Sequence, residues 1–187
     1  APLIPARYHF FLRSLESAFV CLHPRHPSGP ARLTLSPRKS CAACAKNGID
    51  ASMFELGTCR NCRAEYLLGH IQPGDGHDRL TQAPGTSDRL AFFLLGSAID
   101  EDDEDEAAAD PNATGPDLSA SLCPECGAVA IGGHPKCGCT PLPVPVTQVL
   151  PAPEATGLRR CTACATRTTG DIVSRFVTGS DAPVSVI

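Results

Sequence analysis

Ten of the eleven cysteines stand in close pairs, Cys41/Cys44, Cys59/Cys62, Cys123/Cys126, Cys137/Cys139 and Cys161/Cys164. Two thiolates one or two residues apart can grip one ion from a tight turn, so each pair is half of a tetrahedral zinc site. Cys41-x2-Cys44-x14-Cys59-x2-Cys62 has nearly the usual two-knuckle spacing and is expected to form one complete site. Further on, the nearest pairing puts Cys123, Cys126, Cys137 and Cys139 on a second ion. A competing pairing joins Cys123/Cys126 to Cys161/Cys164 and leaves Cys137/Cys139 to other ligands, with His134 near.

Cys21 is the odd thiol, and His23 and His26 follow it closely. Eleven cysteines and one histidine make twelve ligands, enough for three sites. Cys21 and His26 (or His23) can complete a centre with Cys161 and Cys164, clipping the two ends of the chain together. Alternatively they join Cys41/Cys44, and Cys59/Cys62 shifts to a later pair. The plainest alternative leaves Cys21 as a small buried hydrophobe with both histidines facing water. His9, His70 and His77 have no ligand partners in sequence and suit solvent or core positions. The expected cofactor is therefore zinc, two or three ions.

The chemistry stops at binding. Closed thiolate sites leave no open coordination position for water or substrate. The chain has no G-x-S-x-G, no H-E-x-x-H, no H-x-E before P-C-x-x-C and no phosphate-binding G-x-x-x-x-G-K-[ST] loop. Catalysis by this stretch is not expected.

The elements that must position these thiols are short. Among 187 residues, 16 Gly and 18 Pro punctuate the chain, and it has few large apolar residues from which to build a core. Bound metal is the substitute for the missing burial. Strands are expected at Ala18–Leu22, Met53–Thr58, Ala64–Ile71, Arg89–Leu95 and Ile172–Thr178, with a hairpin from Tyr8–Arg13 into Ala18–Leu22. The prolines from 141 to 153 predict an extended Thr140–Pro153 that pairs poorly, because each Pro lacks an N–H. The fold class expected is small, irregular and mainly β, with two zinc-ribbon-like lobes, little helix and much loop.

Charge divides the chain. Asp100 to Glu106 is an unbroken acidic run, and 100–117 has the composition of a disordered, self-repelling linker. It separates an expected N-terminal zinc-binding lobe, 1–99, from a C-terminal one, 118–187. The net charge of −4 hides a basic first lobe. Arg38, Lys39, Arg60 and Arg63 are its candidates for touching a nucleic-acid backbone. No apolar run is long enough to span a membrane, and no secretory signal is present, so a cytoplasmic setting without membrane partners is expected. Unpaired thiols rather than disulfides suit that compartment. The chain begins with Ala1 and has one methionine, Met53, which reads as a piece of a longer protein.

Two segments carry a resemblance. Arg7-Tyr-His-Phe-Phe-Leu-Arg-Ser-Leu-Glu-Ser-Ala-Phe-Val-Cys-Leu22, and then Cys41-x-x-Cys44 with Phe54-Glu-Leu-Gly-Thr-Cys-Arg-Asn-Cys-Arg-Ala-Glu-Tyr-Leu-Leu-Gly69, resemble the cysteine-rich insert of large bacterial DEAD/DEAH-box helicases. These are superfamily 2 enzymes of the Lhr/YprA-like kind, some of them in phage-defence systems. Phe176-Val-Thr-Gly-Ser-Asp-Ala-Pro-Val-Ser-Val-Ile187 looks like the lead into their second RecA-like domain. Relatives often carry a second Cys where this chain has His26, which makes His26 the imidazole ligand that the resemblance favours. The resemblance implies a zinc-stabilised insert that braces an ATP-dependent DNA helicase and adds a basic surface to the DNA path. Its partners would be DNA and the RecA-like domains of the same parent, and the family's nucleotide motifs fall outside these residues. The alternative is a protein-interaction module that docks a partner subunit through the zinc lobes or the acidic run.

Overall fold

Tyr66-Leu67-Leu68 and Phe92-Phe93-Leu94 are apolar at successive positions, and all six side chains are buried. Side chains alternate across a strand, so both faces of these segments must be covered. The structure, a computed structural model, describes residues 18–29, 32–74, 76–83, 89–96, 117–152 and 155–175. Its strands are β1 (Ala18–Cys21), β2 (Leu33–Thr34), β3 (Met53–Cys59), β4 (Glu65–Gln72), β5 (Asp78–Thr81), β6 (Ala91–Leu95), β7 (Leu118–Leu122), β8 (Ala128–Ile131), β9 (Val144–Val149) and β10 (Val173–Arg175). The one helix among the described residues, α1 (Ala42–Ala45), is a single turn. The protein is thus small and almost entirely β, as its composition leads one to expect.

Six strands close on themselves in the order β4–β5–β8–β7–β9–β6 and back to β4, every neighbour antiparallel. Leu67, Leu80, Phe93, Ala120, Leu122, Val129 and Val146 fill the interior, and Phe54 and Leu56 of β3 join the same core. A barrel of so few strands has room for packed side chains and no lumen. The opposite faces of β4 and β6, with Tyr66, Leu68, Phe92 and Leu94, lie under a C-terminal strap that contributes Leu158, Cys161, Ile172 and Val173. β3 extends the sheet beyond the barrel, pairing with β1, β4 and β10.

β4 serves β3 through Glu65–Leu68 and β5 through His70–Gln72, and Gly69 stands at the changeover. A Cβ there would run into the carbonyl oxygen of Thr81, so only glycine allows β5 to approach.

The stretches on either side of 100–117, expected as two lobes, meet in one sheet, because β5 pairs with β8, β6 with β9 and β3 with β10. Residues 100–116 of the expected linker, and the expected Tyr8–Arg13 strand, lie outside the described residues. The expectation for Thr140–Pro153 is corrected, since β9 pairs with both β6 and β7. Pro145 opposes Ser121 of β7 but lies beyond the β6 register, which ends at Val146, so its missing N–H falls where β9 has one partner instead of two. β5, β7 and β8 were not expected at all. No helix among the described residues is long and apolar enough to cross a membrane.

Candidate metal centres

Three groups of four side chains bring their ligand atoms within 4.8 Å of one another: Cys21/His26/Cys41/Cys44, Cys59/Cys62/Cys161/Cys164 and Cys123/Cys126/Cys137/Cys139. Thiolates about 2.3 Å from a tetrahedral ion stand about 3.8 Å apart along each edge of the tetrahedron. Cys21 and Cys44 sulfurs are 3.7 Å apart, Cys59 and Cys164 3.9 Å, and Cys62 and Cys161 3.8 Å. All eleven thiols are free, at separations far beyond a disulfide bond of about 2.05 Å. The three groups have the donor set, count and spacing of closed tetrahedral sites.

Strand register assembles the first centre. β1 runs antiparallel to β3 with Cys21 opposite Met53, and Cys41 donates its backbone N–H to Ala51, two residues before Met53. Cys21, Cys41 and Cys44 therefore meet at the start of β3, all of them buried. His26 Nδ1 bonds the Pro27 carbonyl at 2.9 Å. That contact places the proton on Nδ1 and leaves the lone pair of the buried Nε2, which bonds nothing else, for a metal. His23 is not part of this group. Its ring is fully buried and its Nδ1 accepts the Arg25 backbone N–H, while burial and the nearby Arg25 hold its pKa below the usual imidazole value.

The second centre joins residues about a hundred positions apart. Cys59 ends β3, β10 pairs Val173 with Cys59, and the 161–164 knuckle is carried onto the 59–62 knuckle. Several polar groups converge on its sulfurs. Asn61 donates its backbone N–H to Cys59 Sγ at 3.4 Å and its side-chain amide to Cys164 Sγ at 3.7 Å. The buried Tyr66 hydroxyl lies 3.2 Å from Cys161 Sγ and accepts the Thr162 N–H at 3.1 Å. Thr166 Oγ1 lies 3.3 Å from Cys164 Sγ. The third centre combines the turn between β7 and β8 with the 132–143 loop, and Ser52 donates to the Pro124 and Glu125 carbonyls, tying this turn to the first centre.

Each centre separates its thiols electrically. In the second, burial raises the Cys164 pKa, but hydrogen bonds to Thr166 and Asn61 outweigh it and bring the value down to about 6. Burial pushes Cys161 up to about 12. Hydrogen bonds likewise overcome burial to lower Cys41 in the first centre and Cys137 in the third, while burial raises Cys44 to about 12 and Cys123 to about 11. One thiol ionises readily, and its charge then opposes the next at under 4 Å. A divalent cation removes that opposition.

The expected Cys41/Cys44/Cys59/Cys62 site is corrected. The fourteen residues between its pairs contain all of β3 up to Cys59, and six steps of about 3.3 Å set the ends of that strand about 20 Å apart. Cys21/His26 joins Cys41/Cys44 instead, and Cys59/Cys62 takes the later pair Cys161/Cys164. The Cys123/Cys126/Cys137/Cys139 grouping stands as the nearest pairing. The same strand divides the four basic candidates: Arg38 and Lys39 lie by its start, where Lys39 accepts the Met53 N–H, and Arg60 and Arg63 lie past its end. All four are exposed. Tyr66, Asn61 and Thr166 were missed as supports, since nothing in their spacing distinguishes them from ordinary strand and turn residues.

Comparison with known proteins adds context. The chain is 32% identical to Druantia protein DruE of Escherichia coli (strain UMEA 4076-1) over an alignment 78 positions long that covers 37% of this chain and 4% of that protein. The chain thus spans a small fraction of that relative's length. No solved structure matches it. Residues 33–177, which carry β2 through β10 and ten of the twelve clustered ligands, match the YjiV N-terminal domain, and the chain belongs to that family.

Proposed function

We propose that this chain is a zinc-stapled β-barrel module of a helicase-type parent protein, contributing a nucleic-acid-contacting surface and no catalysis of its own. The observation that carries the reading is the set of three closed four-ligand groups, whose thiolate-rich tetrahedral spacing suits zinc above harder ions. They staple the ends of β1, β3, β7 and the C-terminal strap. The helicase context rests on the resemblance of the knuckle segments to helicase inserts, and the likeness to Druantia protein DruE agrees with it. RecA-like domains of the parent would be the neighbours of this module.

Elemental analysis of reduced, tag-free protein should return three zinc ions per chain, and titration with DNA should show salt-dependent binding. Fewer than one zinc per chain would end the reading. Docking of a partner protein is the second reading. It is favoured by Leu142, which is 83% exposed between two prolines, and by the exposed Ile131.

A further inference from the structure

The first two centres have different skins of charge. Around the Cys21/His26/Cys41/Cys44 group stand Arg25, Arg32, Arg38, Lys39 and Lys46, all exposed. Arg25 directly precedes His26, Lys39 lies two residues before Cys41, and Lys46 two after Cys44. Arg32 accepts the Cys21 N–H with its carbonyl and reaches the His23 carbonyl with its guanidinium at 3.1 Å. Nearby acids are Asp50 and Glu125. With zinc in place, three thiolates and a neutral imidazole leave this centre one net negative charge, so the five cations prevail.

The second centre has a comparable number of arginines, Arg60, Arg63, Arg159, Arg160 and Arg167. They face Glu65, Asp117, Asp171 and a tetrathiolate zinc of charge −2, which together match them.

We infer that the basic skin over the Cys21/His26/Cys41/Cys44 centre contacts the phosphate backbone of duplex DNA. This inference rests on the proposed nucleic-acid role and gives it a surface and a form of substrate. The choice of duplex follows from the aromatic residues. Phe19, Phe54, Tyr66, Phe92 and Phe93 are all buried, so among the described residues no Phe or Tyr ring is exposed to stack on an unpaired base, and the exposed His134 ring belongs to the 132–143 loop of the third centre. Single strands held without sequence preference depend on such stacking, whereas a duplex backbone needs cations alone. Burial of the four ligands leaves Arg25, Arg38, Lys39 and Lys46, and not the metal, as the outer layer.

The test uses the zinc-loaded chain, a labelled mixed-sequence 20-base-pair duplex, a dT20 strand and fluorescence anisotropy between 25 and 200 mM KCl. The native chain should bind the duplex more tightly than dT20. Arg25→Ala/Arg38→Ala/Lys39→Ala/Lys46→Ala should weaken duplex binding at least tenfold and flatten the log-log salt slope by about 0.9 per lost phosphate contact. Zinc content and melting temperature report whether this variant is folded, and K46E alone should weaken binding if it is not. Arg60→Ala/Arg63→Gly should bind like the native chain.

Native-like binding by the quadruple variant and K46E, or loss of binding in Arg60→Ala/Arg63→Gly alone, overturns this surface while leaving the DNA-contacting role intact. Tighter binding of dT20 than of duplex overturns the substrate form. A native chain with three zinc ions that binds neither DNA, with or without capture of polyglutamate, overturns the nucleic-acid role itself.

Discussion

At the residue scale, Tyr66 and Arg63 show two ways in which a knuckle is supported. The Tyr66 hydroxyl serves both Cys161 Sγ and the Thr162 N–H, and burial holds its pKa far above the usual phenol value, so it stays a neutral donor. Tyr66→Phe removes a ligand's hydrogen bond and orphans an N–H. Supports of this kind are worth about 10- to 100-fold in metal affinity. Chelator competition should therefore strip one zinc of three ahead of the others. Arg63 follows the second cysteine of its knuckle with φ of 68°, as Ala165 does with 54° in the facing knuckle. In the third centre the equivalent position is Gly127, with φ of 76°. A side chain in this conformation costs about 1–2 kcal/mol. Arg63→Gly should raise the melting temperature by about 2–4 °C per kcal/mol recovered, and Arg63→Ala should give no such gain.

At the element scale, β10 is three residues long and cannot hold the C-terminal strap by its ladder alone. Glu55, 2% exposed in the middle of β3, receives Arg175 of β10 through two hydrogen bonds, at 2.9 and 3.0 Å. Removing one member of a buried ion pair leaves a desolvated charge and costs about 3–5 kcal/mol, toward the lower end here because Arg175 is 17% exposed. Arg175→Ala should lower denaturant stability by about 3 kcal/mol and raise amide exchange in β10 first. Replacing Glu55 and Arg175 together by apolar residues should cost less than either single change. Equal losses in all three variants would show that the ion pair is not what secures the strap.

At the scale of the whole molecule, the centres act as closures at three places on one sheet. Structural zinc contributes about 10–16 kcal/mol of apparent free energy per site, against about 5–15 kcal/mol of net stability for a domain. Stripping zinc with a strong chelator should abolish cooperative unfolding. Cys59→Ser should release 155–175 to rapid exchange while β5, β7, β8 and β9 stay protected, because the barrel closes without that strap. Binding of zinc must displace the proton of Cys161, whose pKa of about 12 keeps it protonated at neutrality, and not one from Cys164, already ionised above about 6. Zinc affinity at this centre should accordingly fall as pH is lowered, most steeply below pH 6, where Cys164 also takes a proton. Metal retention across a pH series reads this directly.

The knuckles, the short strands and the near absence of helix were legible in the sequence because each is local. A C-x-x-C turn is complete within four residues, and a run such as Met53–Thr58 declares its strand through its own composition. The nearest-neighbour site of Cys123, Cys126, Cys137 and Cys139 was legible for the same reason. The partners of Cys21, Cys41, Cys59 and Cys161 were left open between two arrangements, because they depend on register: Cys21 opposite Met53 and Val173 opposite Cys59 decide which half-sites meet. Counting residues between pairs treats the chain as a flexible loop, whereas β3 is an extended rod that holds its two ends apart. The same rod separates Arg38 and Lys39 from Arg60 and Arg63, and the tertiary structure alone places Arg25, Arg32 and Lys46 beside the first two.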